Sequence, residues 1–206
     1  REWIGAQIRA DMWGYVAPGN PELAVELAYK DARLSHVKNG IYGEMFVSAM
    51  ISAAFATNDV KEIVQAGLSV IPRNSRLAEA VKDVLNWSVK FDDWRDTLSK
   101  IYEKYGNYHP VHTINNAAIV LMGLLYGKGD YEKSITISVM GGLDTDCNGA
   151  TVGSIVGVIL GAKALPEKWI KPLNDTVESY VVGYSGIKIS ELAERTFRIA
   201  KKTIKA

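Results

Sequence analysis

Cysteine is nearly absent from this sequence, since Cys147 is the only one among 206 residues. A lone thiol excludes an internal disulfide and a multi-thiolate zinc site. It suits a reducing compartment, and we predict a cytoplasmic protein. An excess of charge is lacking too, because 24 basic and 23 acidic residues leave a formal charge of +1. This balance gives no general basis for binding nucleic acid, so no such partner is predicted.

The sequence also lacks a convincing membrane-spanning run. The uncharged stretch from Cys147 to Ala162 is sixteen residues long and contains Asn148, Thr151 and Ser154. A membrane-spanning helix needs roughly 20 predominantly apolar residues. We therefore predict a core helix here and no membrane partner.

Strand signals are scarce, whereas helical periodicity and helix punctuation run along most of the chain. With 48% hydrophobic residues the chain can bury one sizeable core, and a single domain over residues 1–206 is predicted. Asn20 before Pro21 predicts a helix N-terminus. Asp59 and Glu62 are spaced like a capping box. We predict an all-α fold, a compact orthogonal multi-helix bundle around a buried glycine-rich helix.

The predicted helices are bounded by proline, glycine and capping residues. Residues 75–105 are predicted to form one long helix or two, and Ser190 is predicted to cap a terminal amphipathic helix. Only residues 179–186 suggest extended structure. The remaining central helices are predicted over residues 41–56, 113–126, 131–140 and 147–164.

The last of these helices carries a glycine every fourth residue, at Gly149, Gly153, Gly157 and Gly161. Each costs a helix interior about 1 kcal/mol relative to alanine. We therefore expect another helix to pack against this face almost backbone to backbone. The spacing matches neither a Walker A loop nor a dinucleotide fingerprint. A rigid helix of this kind is a good platform for a site at its N-terminus.

Two aspartates, Asp144 and Asp146, directly precede this helix. They match the first half of an EF-hand calcium loop, but position 12 of that loop falls on Ile155, which offers no oxygen. A helix cap accounts for one carboxylate, and the second adds charge at the positive helix end. Alternatively, the pair holds a hard cation such as Mg²⁺ or Mn²⁺, which would offset the repulsion between the two carboxylates.

The segment GGLDTDCNGATVGSIVGVILGAKALPEKW resembles the C-terminal signature of the ADP-ribosylglycohydrolase superfamily. This superfamily includes dinitrogenase reductase-activating glycohydrolase, the ADP-ribosyl-acceptor hydrolases and the J1 crystallins. Its pattern is Asp-Thr-Asp-Thr/Cys-Asn after a glycine, then a glycine- and alanine-rich helix and an Ile-Pro or Leu-Pro turn. The upstream segment PGNPELAVELAYKDARLSHVKNG is similar to the superfamily as well. Together the two segments and their flanks cover most of residues 3–170.

The resemblance implies an all-helical fold around a binuclear Mg²⁺ or Mn²⁺ site in a cleft that binds ADP-ribose. The implied reaction is metal-dependent hydrolysis of the glycosidic bond between ADP-ribose and a protein side chain or other acceptor. The expected partner is thus ADP-ribose or an ADP-ribosylated protein. A catalytically silent, crystallin-like or ADP-ribose-binding relative is the alternative, and a plain calcium-binding helical protein is a third hypothesis.

Metal ligands are implied at Asp144, at Asp146 and at the next position, Cys147. The last is a departure, because many relatives carry threonine there and a thiol is a soft ligand. Ser35 and His36 match the superfamily's Ser/Thr-His pair, which lies near the bound ligand.

The segment WIGAQIRADMWGY corresponds to the superfamily's glycine-rich loop. Gly5 and Asp11 are expected to line the pocket, and Trp13 or Tyr15 to stack near adenine, with ordinary core positions as the alternative for the two aromatic residues. Helix capping accounts for the polar residues of the segment VHTINN, which are His112, Asn115 and Asn116.

The superfamily's N-terminal Ser/Thr-Asp-Asp motif has no match in this sequence. The paired aspartates of residues 91–94 lie in the wrong order and are better explained as a solvated helix face. We therefore expect the chain to be the C-terminal portion of a longer protein. On this view it holds half of the metal site, and an acid/base residue lies upstream of Arg1.

Overall fold

Eleven α-helices and one short hairpin form the regular structure of residues 1–204, the part of the chain that the computed structural model describes. A 3-10 turn over Gln7–Arg9 precedes the first helix, and another follows α10. In chain order the elements are α1 (Asp11–Tyr15), α2 (Pro21–Ala32), α3 (Asn39–Ala54), α4 (Val60–Ser69), α5 (Arg76–Lys90), α6 (Trp94–Tyr105), α7 (Thr113–Gly127), α8 (Tyr131–Met140), α9 (Thr145–Leu160), α10 (Glu167–Ile170), β1 (Thr176–Val177), β2 (Ile187–Lys188) and α11 (Ile189–Thr203).

Two helices form the centre of the core, and both are apolar around nearly their whole circumference. In α7 every residue except Leu125 is buried, and α3 is buried over most of its length. Helices α5, α6 and α8 pack against α7, and α1, α2 and α4 pack against α3. The glycine-rich helix α9 contacts α3, α7 and α8. The all-α prediction is confirmed, and no helix within residues 1–204 is long and apolar enough to cross a membrane.

Local capping chemistry sets most helix starts. Asn20 accepts a hydrogen bond from the Leu23 backbone N–H at 3.1 Å, as predicted. Residues 75–105 divide into α5 and α6 because Phe91 is extended. Asp93 then caps α6 through the Arg95 N–H at 2.9 Å, so the paired aspartates mark a break between helices and not a helix face.

Two local predictions are wrong, and a third is confirmed in part. Ser190 lies inside α11, where its hydroxyl donates to the Asp175 carboxylate at 2.6 Å, and Lys188 takes the N-cap position. Residues 179–186 form the loop between β1 and β2, which pair antiparallel on either side of it. Asp59 does cap α4, through the Lys61 N–H at 2.7 Å. The capping box is incomplete, because the Glu62 carboxylate accepts a hydrogen bond from the Thr57 hydroxyl instead.

The glycines of α9 do not produce the backbone-to-backbone packing that their spacing suggested. A Cβ on Gly149 would meet Cγ2 of Val139 at 3.0 Å, so side chains of α8 occupy this face. The close backbone approach occurs instead between α7 and α8. A Cβ on Gly123 would lie 2.9 Å from the carbonyl oxygen of Ser134.

The turn between α6 and α7 is fixed by the N-terminal residues. The Ile4 N–H donates to the Val111 carbonyl at 2.9 Å, and the Thr113 N–H donates to the Glu2 carbonyl at 3.0 Å. Trp3 forms the intervening antiparallel bridge to His112. This pairing places residues 2–4 directly beside the start of α7.

Candidate metal and ligand site

The loop before α9 has a strained backbone that two distant residues hold in place. Gly142 and Leu143 both have positive φ angles, of 79° and 62°. The Tyr102 hydroxyl donates to the Gly141 carbonyl at 2.9 Å. The Asp144 N–H donates to Oδ1 of Asn116 at 3.0 Å. A non-glycine residue persists in the left-handed region when its surroundings enforce it, and these two bonds supply that enforcement.

The two aspartates lie at the start of α9, where the Asp146 carboxylate accepts from the Cys147 thiol at 3.9 Å. Asp144 occupies the N-cap position, yet its side chain makes no capping hydrogen bond. Asp144 is half-buried and Asp146 is exposed. Ligand atoms of Asp144, Asp146 and Cys147 lie within 4.8 Å of one another. Capping therefore does not explain the carboxylate of Asp144.

The calcium-loop alternative fails on burial. Ile155, at position 12 of such a loop, is fully buried in the core formed with α7. Its position provides no oxygen, and the second half of the loop is an apolar helix. The geometry thus disfavours an EF-hand site.

The donor set fits a hard cation at two of its three positions. Carboxylate oxygens are ligands that Mg²⁺ and Mn²⁺ prefer. Burial raises the pKa of the Cys147 thiol to about 12, and the adjacent Asp144 and Asp146 add to this effect. A thiol is also a softer ligand than the oxygen atoms that these ions prefer. Asp144 and Asp146 fit the implied metal, and the assignment of Cys147 as a third ligand stays a prediction.

A second polar cluster surrounds the predicted ligand-binding pair Ser35 and His36. Arg9 donates from Nη2 to Oγ of Ser35 at 2.9 Å, and Ser35 Oγ lies 2.8 Å from Nδ1 of His36. The hydroxyl oxygen accepts from Arg9 and can still donate to Nδ1 or accept from it, so this bond is compatible with either tautomer of the imidazole. Burial, with the nearby Arg9 charge, lowers the pKa of His36, so the imidazole is neutral.

Gly5 lies against this imidazole. A Cβ on Gly5 would be 3.5 Å from Nε2 of His36. The absence of a side chain therefore leaves the Nε2 edge of the ring uncovered on that side. Gly5, Ser35 and His36 form one cluster.

Three residues of this cluster were not predicted as site residues, namely Arg9, Asp31 and Glu44. Arg9 Nε donates to the Asp31 carboxylate at 2.6 Å. Glu44 is fully buried and accepts from Trp13 Nε1 at 2.8 Å. Its Oε2 lies 4.0 Å from Arg9 Nε and has no hydrogen-bond partner within the described residues. The available signal was Glu44 itself, a charged residue at the edge of the apolar run MFVSAMISAAF.

Burial, the largest cause, and the neighbouring Asp31 carboxylate together raise the pKa of Glu44 to about 8, against the opposing charge of Arg9. Glu44 therefore carries a proton at neutral pH. For Asp31 burial opposes ionisation, but the hydrogen bond from Arg9 and the neighbouring Glu44 carboxyl outweigh it and lower its pKa. The two carboxyl groups thus share one negative charge beneath Arg9.

Asp11 belongs to neither cluster. It lies with Tyr15 against Ser154 on α9, and the Tyr15 hydroxyl bonds that of Ser154. Burial raises the pKa of Asp11 and raises that of Tyr15 to about 12. Ser154 follows Asp146 by eight residues, which is about 12 Å along the helix axis. Asp11 therefore borders α9 about two turns away from the acidic pair.

Capping explains only part of the segment at the start of α7. His112 does cap the helix, because its Nδ1 accepts from the Ile114 N–H at 3.2 Å. Asn115 and Asn116 are buried and make no cap. Their amides bond the preceding turn, and Asn116 also bonds α9. The capping interpretation is therefore wrong for the two asparagines.

The fold and the site define an all-helical protein in which an acidic pair suited to a hard cation opens a glycine-rich helix. A sequence model of the ADP-ribosylglycohydrolase family matches residues 3–205. The chain belongs to the ADP-ribosylglycohydrolase family. The match covers nearly the whole chain, so it is not confined to the C-terminal signature around Asp144. No match was found among curated proteins. Family membership supports glycohydrolase activity on ADP-ribose linkages.

Proposed function

We propose that this protein is a metal-dependent hydrolase that cleaves the glycosidic bond between ADP-ribose and a protein side chain or other acceptor. The observation that carries the proposal is the pair Asp144 and Asp146, whose ligand atoms lie within 4.8 Å of each other and of Cys147 Sγ. The carboxylate of Asp144 makes no helix-capping bond, which supports a role in ligating a cation.

The acidic pair would hold Mg²⁺ or Mn²⁺ through carboxylate oxygens. If bound, such an ion would orient the ribose hydroxyls and lower the pKa of a bound water, which could then attack the anomeric carbon of the sugar. No second cluster of three metal-ligating side chains occurs among residues 1–204. A binuclear site therefore stays a prediction.

The second cluster supplies hydrogen-bond donors suited to an anionic ligand. His36 is neutral, and its Nε2 lies beside Gly5. In the tautomer that carries its proton on Nε2, the ring can donate to a phosphate or ribose oxygen. Arg9 is already bonded to Asp31 and Ser35, so it holds this donor in place. We assign Gly5, Ser35 and His36 to substrate binding. Asp11, which lies against Ser154 of α9 and belongs to neither cluster, stays a predicted substrate-binding residue.

The proposal is tested by measuring Mn²⁺ binding by electron paramagnetic resonance and release of ADP-ribose from an ADP-ribosylated protein. We expect Asp144→Asn and Asp146→Asn to lose both, since each removes a charged oxygen ligand. Asp130→Asn is the matched control, because Asp130 caps α8 through the Lys133 N–H at 2.7 Å and lies outside both clusters. Unchanged Mn²⁺ binding in both site variants would refute the proposal.

The silent-relative alternative gives a different pattern in the same assays. A binding protein without activity would retain Mn²⁺ and free ADP-ribose but release no ADP-ribose from any acceptor. Testing arginine-, serine- and small-molecule-linked acceptors in parallel distinguishes that outcome from a narrow acceptor specificity.

A further inference from the structure

We infer that Asn116, a residue of α7 that does not reach the cation itself, is the positioning residue that fixes Asp144 for metal binding. The inference rests on the proposed metal site. Asn116 is fully buried, and its Oδ1 accepts from the Asp144 backbone N–H at 3.0 Å and from Asn148 Nδ2 at 2.8 Å. Both bonds cross from α7 to the first turn of α9.

The other end of the same amide is anchored equally firmly. Asn116 Nδ2 donates to the Pro110 carbonyl at 2.7 Å and to the His112 carbonyl at 2.8 Å. A carboxamide offers two N–H donors and an oxygen with two lone pairs, so these four bonds use its full capacity. A longer contact of 3.4 Å joins Asn116 Nδ2 to Oδ1 of Asn115. A buried amide with every bond made has one orientation available to it. The Asn116 side chain therefore holds the groups that it bonds on α9 in one orientation.

The contact with Asp144 acts on the peptide that sets the direction of the carboxylate. Leu143, immediately before it, has a φ of 62°, which a leucine adopts only when held there. The Asp144 side chain makes no capping bond of its own to the helix. The bond from its N–H to Asn116 thus fixes the backbone orientation on which the placement of its carboxylate relative to Asp146 depends.

Asn115 provides a matched control from the neighbouring position. It is 1% exposed, and its Nδ2 donates to the His109 carbonyl of the same turn at 3.1 Å. Its Oδ1 accepts from the Asn116 N–H at 3.1 Å. It makes no hydrogen bond to α9 in the described part of the chain. The two asparagines are therefore both buried at the start of α7 and both bond the preceding turn. Only Asn116 also accepts a hydrogen bond from the Asp144 N–H.

The test compares Asn116→Ala and Asn115→Ala in the full chain by three measurements. These are the melting temperature, the Mn²⁺ dissociation constant by electron paramagnetic resonance, and amide hydrogen exchange at Asp144 without metal. We expect both variants to lower the melting temperature. Only Asn116→Ala should speed exchange at Asp144 and raise the Mn²⁺ dissociation constant, by about 10-fold or more, the range seen when groups that orient metal ligands are lost. Asn115→Ala should change that constant less than about twofold.

Wild-type exchange provides a measurement that needs no variant to fold. First-turn amides of a helix have no intrahelical acceptor and normally exchange quickly. We expect the Asp144 amide to exchange more slowly than those of Thr145 and Asp146, and equal rates would overturn the inference. Equal Mn²⁺ affinities in the two alanine variants would also overturn it while leaving the proposed function standing. Failure of the wild type to bind Mn²⁺ would instead refute the proposed metal site, and the inference would fall with it.

Discussion

Replacing Glu44 by glutamine is expected to remove most of the pH dependence of stability between about pH 5 and pH 8. The side chain is fully buried, accepts from Trp13 Nε1 at 2.8 Å, and has a pKa raised to about 8 by burial and by Asp31. Glutamine has the same shape as the protonated acid and retains an oxygen for Trp13. It cannot ionise, so it should mimic Glu44 at low pH and differ from it at high pH.

The sign and size follow from proton linkage. The folded-state pKa of Glu44 is about 8 and its ordinary value is 4.5, so between these values the folded state binds one more proton than the unfolded state. Stability that Glu44 contributes is therefore fully present below about pH 4.5 and is lost as the pH rises toward 8. The loss is about 1.4 kcal/mol per pH unit, with an upper limit of roughly 5 kcal/mol.

Urea denaturation at pH 5, 6, 7 and 8 measures this effect directly. The free energy of unfolding of Glu44→Gln relative to wild type should rise by about 3 kcal/mol between pH 5 and pH 7, the product of two pH units and the linkage slope. Glu62→Gln serves as the control, since Glu62 is exposed in the first turn of α4. Parallel profiles for wild type and Glu44→Gln would show that Glu44 is ionised when buried, and would refute the shared-charge arrangement with Asp31.

Two further predictions concern the start of α9 and the helix interfaces. Cys147→Thr should tighten Mg²⁺ binding measured by calorimetry, because a hydroxyl is a harder ligand than the neutral thiol; unchanged affinity would mean that this position does not contact the ion. Gly123→Ala should lower the free energy of unfolding by about 1–3 kcal/mol, because its Cβ would lie 2.8 Å from Cβ of Ser138. Gly157→Ala should raise it by up to about 1 kcal/mol, because the nearest atom, on Tyr131, lies 3.9 Å away. If chemical denaturation gave the same change in the free energy of unfolding for Gly123→Ala and Gly157→Ala, the packing described for α7 and α8 would be contradicted.

Local sequence patterns were sufficient for much of the fold. Helix α8 has the predicted bounds because Asp130 before it and Gly141 after it are local signals. The acidic pair was likewise visible, since Asp144 and Asp146 are neighbours in the chain. Prediction failed where the same residue pattern is compatible with more than one packing partner. The glycines of α9 were expected to meet a backbone and meet side chains of α8 instead.

The parts of the candidate site that escaped prediction depend on long-range contacts. Arg9, Asp31 and Glu44 are separated in sequence, and their coupling appears only when α2 and α3 pack together. Asn116 resembled a helix cap from its position, yet its bond to Asp144 spans 28 residues. Neither set of contacts produces a periodicity or a spacing that can be recognised in a single sequence.

The turn between α6 and α7 has a consequence for where this protein tolerates engineering. Surface connections are usually the safest places for insertions, tags or cleavage sites. Residues 109–113 are instead bonded to residues 2–4 on one side and to the two asparagines of α7 on the other. An insertion there would displace the carbonyls that orient Asn116, whereas Val182 in the hairpin loop is 95% exposed. The loop at residues 179–186 is therefore the better attachment point, and the turn at 109–113 should be left unchanged.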